Sequence, residues 1–118
     1  MAVKRIVTNI ASKDIDRASA FYSDILDMNL VMSHGWIVTF AGEGWASPEI
    51  SIASEGGSGT DVPDISIEVD NLDEVLQRVV LKGIPVVYGP AIEPWGVRRF
   101  YLRDPFDRLL NVLSHEDR

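Results

Sequence analysis

The spacing of hydrophobic and polar residues along the first half of the chain predicts one strand, one helix and three further strands. Lys4–Ala11 alternates with a period of two, which is typical of a β-strand. Asp14 stands where a helix N-cap belongs, and apolar residues then recur at helical spacing, so Ile15–Leu26 is predicted to be a helix with one buried stripe. The next three strands are predicted at Leu30–Ser33, Trp36–Ala41 and Glu49–Ala53, with turns at His34-Gly35 and Gly42-Glu43-Gly44.

The same order of elements begins again after residues 55–63, a segment rich in Gly, Ser and Pro that we interpret as a linker. Asp64–Val69 alternates like the first strand. Asn71 stands at the next N-cap position, and Glu74 three residues later predicts a capping box. Apolar residues at helical spacing predict a second buried stripe, and Gly83 is placed to end this helix at its C′ position.

The C-terminal part of the chain predicts a strand at Ile84–Tyr88, a loop at Gly89–Pro94 and a closing hairpin. The hairpin turns at Asp104-Pro105-Phe106-Asp107, where Pro105 presets φ and the aspartates can bond their own backbone. Alternation places Phe100 and Leu102 on one face of the hairpin, which is expected to pack on a helix. The other face, with Arg99, Tyr101 and Arg103, is expected to line a ligand cleft.

Setting Asp14 on Asn71 superposes strand, cap and helix in the two halves, which indicates an internal duplication. Chance similarity of two strand–helix pairs is the competing interpretation. The predicted fold class is α+β, with two βαβββ modules in one chain forming a curved mixed sheet around a cleft. Residues 1–118 are then one domain, with module 1 at about residues 1–54 and module 2 at about 64–118.

The amino-acid composition limits which classes of protein and of binding partner are compatible with this chain. A chain of 118 residues with 46% hydrophobic residues can bury a core without staples, and the lack of cysteine removes disulfides and thiolate sites. We see no leader and no apolar run near the roughly 20 residues needed to span a bilayer, so a cytoplasmic location is predicted. A formal charge of −7 argues against nucleic acid and membrane partners, while it leaves room for a cationic ligand.

The duplicated module, the Phe21-Tyr22 pair and the Asp104-Pro105 turn together resemble the vicinal oxygen chelate superfamily. This superfamily includes glyoxalase I, extradiol dioxygenases, fosfomycin-resistance enzymes and bleomycin-resistance proteins. The resemblance covers essentially the whole chain, and Pro94-Trp95-Gly96 followed by Arg99 is most similar to the bleomycin-resistance branch. It implies a glyoxalase-like fold, but this fold hosts isomerases, lyases, dioxygenases and pure binders, so it does not imply one activity.

The resemblance also implies four strand positions that usually bind a divalent metal through His and Glu. In this sequence they fall on Val7, near Ser51, and on Asp64 and Asn111, with Glu49 two residues from Ser51. These residues lack the imidazole donors of a transition-metal site, so we expect neither a metal nor another cofactor. The two histidines, His34 and His115, are expected to be surface residues or satisfied hydrogen-bonding partners.

Aromatic residues are the remaining signal for a ligand, because a flat ring can stack on a planar or cationic molecule. Trp36 and Trp45 could equally fill core, Trp95 could pack a loop, and Arg99 could either hold an anion or pair with a carboxylate. Phe21 and Tyr22 are expected in the core. The candidate ligand-binding residues are Asn9, Trp36, Ser51, Asp64, Trp95, Arg99, Tyr101 and Asn111.

Two classes of function follow, and the sequence leaves open whether the protein is an enzyme. The first is a glyoxalase/bleomycin-resistance-like protein that binds a small planar, neutral or cationic molecule in a metal-free cleft. The alternative is a glyoxalase-like lyase, isomerase or dioxygenase that acts on a small oxygenated metabolite, with Glu49, Asp64 or Asn111 in an atypical metal site. A pure interaction module is a third possibility. Exposed sheet edges predict a homodimer.

Overall fold

The computed structural model describes residues 3–44 and 48–116, and one order of elements occurs twice in it. The first set is β1 (Val3–Ala11), a 3₁₀ turn (Ile15–Arg17), α1 (Ala18–Tyr22), β2 (Asn29–Ser33), β3 (Ile37–Ala41) and β4 (Glu49–Ala53). The second set is β5 (Ile65–Val69), α2 (Leu72–Leu81), β6 (Val86–Ile92), β7 (Val97–Arg103) and β8 (Leu109–His115). The predicted α+β class with two βαβββ modules is confirmed.

Two compact units correspond closely to these two sets. One unit is formed by residues 7–62 and the other by residues 63–116 with residues 3–6, within the described ranges. In the first unit the strand order is β2-β3-β4-β1, with β4 parallel to β1 and antiparallel to β3. Its core forms where Ile15 and Ala18 pack on Phe40 and Ile52.

The first helix is shorter than predicted, and part of its expected stripe is exposed. The segment starts as a 3₁₀ turn and α1 ends at Tyr22, so the change from 3.0 to 3.6 residues per turn breaks the single face that the spacing predicted. Tyr22 packs on Phe40 with ring centroids 5.5 Å apart, which places it against the core as expected. Phe21 is 54% exposed, and Ile25 and Leu26 are exposed as well, so their predicted burial is wrong.

In the second unit the strand order is β5-β8-β7-β6, and α2 covers one face of this mixed sheet. Val69, Leu72, Val79, Phe100 and Val112 form the core between helix and sheet. Alternation then puts the neighbouring side chains of each strand on the opposite side, which we call the helix-free face. The polar members of the helix-free face on β5, β7 and β8 include Ser66, Glu68, Arg99, Tyr101 and Asn111.

The two ends of α2 differ in how well the sequence predicted them. Asn71 makes no cap bond to a helix N–H; its Nδ2 instead donates to Glu74 Oε2 at 3.1 Å, so the predicted capping box is wrong. Gly83 has φ +70 and donates to Val80 O, while Ile84 N donates to Val79 O. This is a Schellman ending, and the predicted C′ glycine is confirmed.

Strand β6 extends through the segment that was predicted to be a loop. Its pairing with β7 continues to Ile92, with register shifts on either side of Tyr88. Gly89 takes φ +82 in the second of these irregularities, and Pro90 is tolerated because β6 is an edge strand that does not need its N–H. The Gly-Pro signal therefore marks a bulge here and not the end of the strand.

The acidic turn of the last hairpin forms as predicted. Asp104 Oδ1 accepts hydrogen bonds from Phe106 N at 2.8 Å and from Arg108 N at 2.9 Å. Asp107 adopts φ +65, which closes the turn, and its N donates to Asp104 O at 3.1 Å. The turn brings β7 and β8 into a register in which Tyr101 lies beside Asn111.

The helices of the described residues are too short to serve as membrane-spanning segments.

Gly89 provides a test of the irregular strand β6, with Gly35 as its matched control. Both have nearly the same positive φ, but a Cβ on Gly89 would lie 2.6 Å from Arg99 O, whereas a Cβ on Gly35 meets nothing within 4 Å. We expect Gly35→Ala to cost about 1 kcal/mol of unfolding free energy and Gly89→Ala about 3 kcal/mol or more. Urea unfolding of both variants measures the difference. Equal losses would contradict the close approach of β6 and β7.

Candidate functional site

Asn111 lies at the centre of a polar row that crosses the helix-free face. Its strand neighbours in register are Ser66 on β5 and Tyr101 on β7. Asn111 Nδ2 donates to Ser66 Oγ at 3.1 Å, while the Oδ1 atom is buried without a hydrogen-bond partner among the described residues. The residue is only 8% exposed. A buried acceptor is thus left without a donor from the described part of the chain.

A buried ion pair lies beside this row. Arg99 Nε donates to Glu93 Oε2 at 2.7 Å, and both side chains are almost completely buried. Tyr88 Oη donates to the same Glu93 oxygen at 2.9 Å, and Arg99 Nη1 donates to Tyr101 Oη at 2.9 Å. The guanidinium carbon also lies 4.9 Å from the ring centroids of both Trp95 and Tyr101 and 5.4 Å from that of Tyr88. Cation–π contacts and hydrogen bonds therefore surround and stabilise the guanidinium charge of Arg99.

A tight loop between β6 and β7 puts Glu93 into this position. Glu93 N donates to Val97 O at 2.8 Å, and Gly96 N donates back to Glu93 O at 3.1 Å. Gly96 has φ +91, a conformation that glycine adopts at little cost. The Pro94-Trp95-Gly96 sequence therefore folds the chain so that both Glu93 and Trp95 reach Arg99.

The first unit carries an equivalent row, but its polar groups satisfy one another. Asn9 on β1 is in register with Ser51 on β4, which is in register with Thr39 on β3. The hydroxyls of Thr39 and Ser51 are 2.7 Å apart and buried. Asn9 is half-buried and is itself engaged in an interaction.

The tryptophan candidates have separate locations. Trp36 lies just before β3, where its carbonyl accepts from Ser54 N at 2.9 Å and its ring stacks on His34 at 6.4 Å. It is half-buried and outside the row of Asn9 and Ser51. Trp95 lies against Arg99, as described above. Trp45 lies outside the described residues.

Asp64 has a structural role in the second unit. Its backbone N donates to Leu109 O at 2.8 Å, and its Oδ2 accepts from Leu109 N at 2.9 Å. The carboxylate thus closes the start of β8 against β5. Its side chain is half-buried and lies two residues before Ser66 in the chain.

The residues at the four metal positions of the resemblance do not fit a transition metal. Val7 is a buried hydrocarbon, the Ser51 hydroxyl is paired with Thr39, and Asn111 offers a neutral amide. Asp64 gives one carboxylate, already bonded to a backbone N–H. Within residues 3–44 and 48–116 no group of three or more His, Asp or Glu side chains is arranged to hold a metal ion.

The structure brings together some predicted residues and adds others that sequence reasoning missed. Arg99, Tyr101, Trp95 and Asn111 share one region of the second unit, and Asn9 and Ser51 share a row in the first. Alternation along β5 and β3 could have identified Ser66 and Thr39, since both alternate with core residues. Glu93 had no such signal, because the sequence does not show that a loop carboxylate becomes buried.

The ion pair can be tested by removing one charge. Glu93→Gln leaves the buried Arg99 cation uncompensated and should cost about 3 kcal/mol of unfolding free energy. Asp73→Asn is the matched control, because Asp73 pairs with Arg98 at 2.6 Å but is 77% exposed, and it should cost less than about 1 kcal/mol. Chemical denaturation of both variants makes the comparison. Equal small losses would mean that Arg99 does not depend on Glu93.

Comparison with known proteins supports the fold and the family. The crystal structure of NAD-dependent benzaldehyde dehydrogenase from Legionella pneumophila superposes with a TM-score of 0.73 at 15% identity, over 94% of this chain and 99% of that one. Streptomyces coelicolor methylmalonyl-CoA epimerase gives 0.72 at 17% identity, over 97% and 96%. A glyoxalase/bleomycin resistance protein/dioxygenase superfamily member from Vibrio splendidus gives 0.61 at 17%, over 93% and 97%.

These likenesses establish the fold alone, because all three identities are low. No protein with curated annotation matches this chain in sequence. A family profile matches residues 4–112, nearly the whole chain. The chain therefore belongs to the glyoxalase/bleomycin resistance protein/dioxygenase superfamily.

Proposed function

We propose that this protein binds a small planar, neutral or cationic molecule on the helix-free face of its second module, without a transition metal. The observation that carries the proposal is the unpaired, buried Oδ1 of Asn111. An unsatisfied buried acceptor costs about 1–3 kcal/mol, so a ligand N–H or O–H that reaches this atom recovers that free energy on binding. The neighbouring Ser66 holds the amide in place through Nδ2.

The charge preference follows from the pairing of Arg99. Its guanidinium is balanced by Glu93 and surrounded by rings, so it is poorly placed to recruit an anion. Asp64 adds a carboxylate two residues before Ser66, where it is bonded to Leu109 N. A neutral or cationic ligand avoids repulsion from Asp64, while an anionic ligand would have to compete with Glu93 for Arg99.

The aromatic residues favour a planar ligand. Tyr101 lies in register with Asn111, and its ring packs against Tyr88 with centroids 5.2 Å apart. Trp95 is half-buried and packs against Arg99, so its indole ring borders the same region as Tyr101. A flat molecule bonded to Asn111 and bordered by these rings would combine ring contacts with a few orienting hydrogen bonds, as small-molecule sites generally do.

The enzyme alternative has less support from the side chains. Structural neighbours such as methylmalonyl-CoA epimerase share the fold at 17% identity, which does not carry their chemistry to this chain. A lyase or isomerase would need a free base or a metal beside the ligand on the helix-free face at Asn111. The Asp64 carboxylate is instead engaged with the Leu109 N–H, and the family metal positions lack suitable donors.

We also propose that the protein assembles as a homodimer. Strand β2 ends the sheet of the first unit, and all five of its residues are exposed, including Leu30 and Val31. Phe21, Ile25 and Leu26 are exposed apolar residues of the same unit. An apolar edge strand of this kind is usually covered by another chain. Light scattering at tens of micromolar should give twice the monomer mass of 13.1 kDa, and a monomer mass would contradict the proposal.

The ligand proposal predicts that binding depends on a donor that reaches Asn111. A panel of planar heteroaromatic N–H compounds, each paired with its N-methylated analogue, should show binding by the N–H members and roughly tenfold weaker binding after methylation. Asn111→Leu should remove the difference within each pair. This variant removes the unsatisfied oxygen but also the Nδ2 bond to Ser66, and because the two effects oppose each other the unfolding free energy should change by no more than about 1 kcal/mol. Calorimetric titration and urea unfolding supply the two readouts.

Trp95→Ala tests stacking separately and should weaken binding severalfold while leaving the far-UV circular dichroism spectrum unchanged. Unchanged N–H preference in Asn111→Leu would refute the proposed contact between the ligand and Asn111.

Elemental analysis of protein purified without a His tag tests the metal-free state. A stoichiometric transition metal that survives dialysis and is lost in Asp64→Ala would favour the enzyme alternative.

A further inference from the structure

A polar cavity lies in the unit of residues 63–116 with residues 3–6, away from Asn111. It has a volume of about 310 Å³ and opens where the carboxyl ends of the parallel strands β5 and β8 meet. Its lining is dominated by charged and titratable side chains from four parts of the chain. These are Lys4, Glu68, Asp70, Arg98, His115 and Glu116.

The inner wall of this cavity is built around the buried carboxylate of Glu68, which is 3% exposed. Arg5 Nε lies 3.1 Å from Oε1, and His115 Nδ1 lies 2.9 Å from Oε2. Both carboxylate oxygens therefore have a partner, and Arg5 balances the charge. Because both of its oxygens are engaged, the Glu68 carboxylate holds the imidazole of His115 in one orientation.

This arrangement fixes which ring nitrogen of His115 is available to a ligand. A carboxylate accepts hydrogen bonds, so the contact with Glu68 selects the tautomer with its hydrogen on Nδ1, in which Nε2 carries the lone pair. The His115 side chain is 26% exposed, so a small molecule in the cavity can reach the ring. The sequence predicted His115 to be a surface residue or a satisfied hydrogen-bonding partner. Among the described residues its ring is bonded to Glu68 through Nδ1.

Charges of both signs surround the same space. Lys4 is exposed at the rim, and Arg98 contributes a guanidinium held at 2.6 Å by Asp73. Asp70 and Glu116 are exposed carboxylates of the lining. A purely anionic or purely cationic ligand would meet repulsion from one set, whereas a zwitterion can match both.

We propose that this cavity is a binding site for a small zwitterion of the amino-acid type. The ligand carboxylate faces Lys4, and its ammonium donates to His115 Nε2 on the acidic side of the cavity. The site is independent of the proposed planar-ligand site, since His115 is four residues beyond Asn111, or about 13 Å along β8. Each site can therefore be tested without the other.

Histidine-ring NMR tests the geometry first. The chain has two histidines, so His34→Gln assigns both rings and leaves His34 of the wild type as an internal control. Long-range ¹H–¹⁵N correlation at neutral pH should show the Nδ1–H tautomer for His115. The Nε2–H tautomer would overturn the proposal, because the ring would then have no acceptor facing the cavity.

Titration with defined probes tests the ligand class. Glycine, L-serine and L-glutamine are the zwitterions, L-serinamide is the matched cation and glycerate the matched anion. The zwitterions should shift the His115 ring signals to saturation without moving those of His34, and L-serine should bind about fivefold or more tightly than both serine analogues. If no zwitterion shifts His115, or if glycerate binds as well as L-serine, the proposal fails.

Lys4→Gln tests the carboxylate contact in a variant that should fold normally, because Lys4 is exposed. It should weaken L-serine binding about fivefold or more. Lys13→Gln, at another exposed lysine outside the cavity, is the control and should leave the affinity unchanged. Equal affinities of the two variants would show that Lys4 does not recognise the ligand.

Discussion

The positive charge of Arg99 has to be balanced inside the protein, and the helix-free face of the second module is arranged around this requirement. Glu93 supplies the counter-charge from a tight loop, because the Gly96 turn returns the chain to β7 within four residues. The rings of Trp95 and Tyr101 then cover the guanidinium. A single ion pair therefore fixes the loop before β7 and the orientation of Tyr101, which lies next to Asn111 and its unpaired Oδ1.

The internal duplication gives two polar rows with the same strand register but different chemistry. In the first row the buried hydroxyls of Thr39 and Ser51 are hydrogen-bonded to each other. This pair therefore does not need a ligand to satisfy it. In the second row the amide of Asn111 is larger and has one more polar atom than its neighbour can engage. Equivalent backbone positions in the two modules therefore carry different side chains. The equivalent pairs are Asn9 and Ser66, Ser51 and Asn111, and Thr39 and Tyr101.

Both proposed sites use polar side chains that β8 presents on a largely buried face. Asn111 has an acceptor left over after its bond to Ser66, and His115 has one after its contact with Glu68. The alternate residue Val112 fills the core under α2. A strand with one apolar and one polar buried face can therefore hold the fold together and present hydrogen-bonding groups, because successive side chains point to opposite sides.

The sequence by itself determined the order of elements, the duplication, the Asp104 turn and the helix end at Gly83. These features depend on period-two alternation and on residues with strong local preferences, such as Pro105 and a glycine at positive φ. Alternation also separated Phe100 from Arg99 and Tyr101 correctly. Local signals failed where packing outweighed them, as in the short first helix and in β6, which continues through Gly89. Only the tertiary structure decided that Arg99 meets Glu93 and that Asn111 keeps an unpaired oxygen, because the burial of a loop carboxylate and the pairing of side chains across β5, β7 and β8 exist only when the sheet has formed.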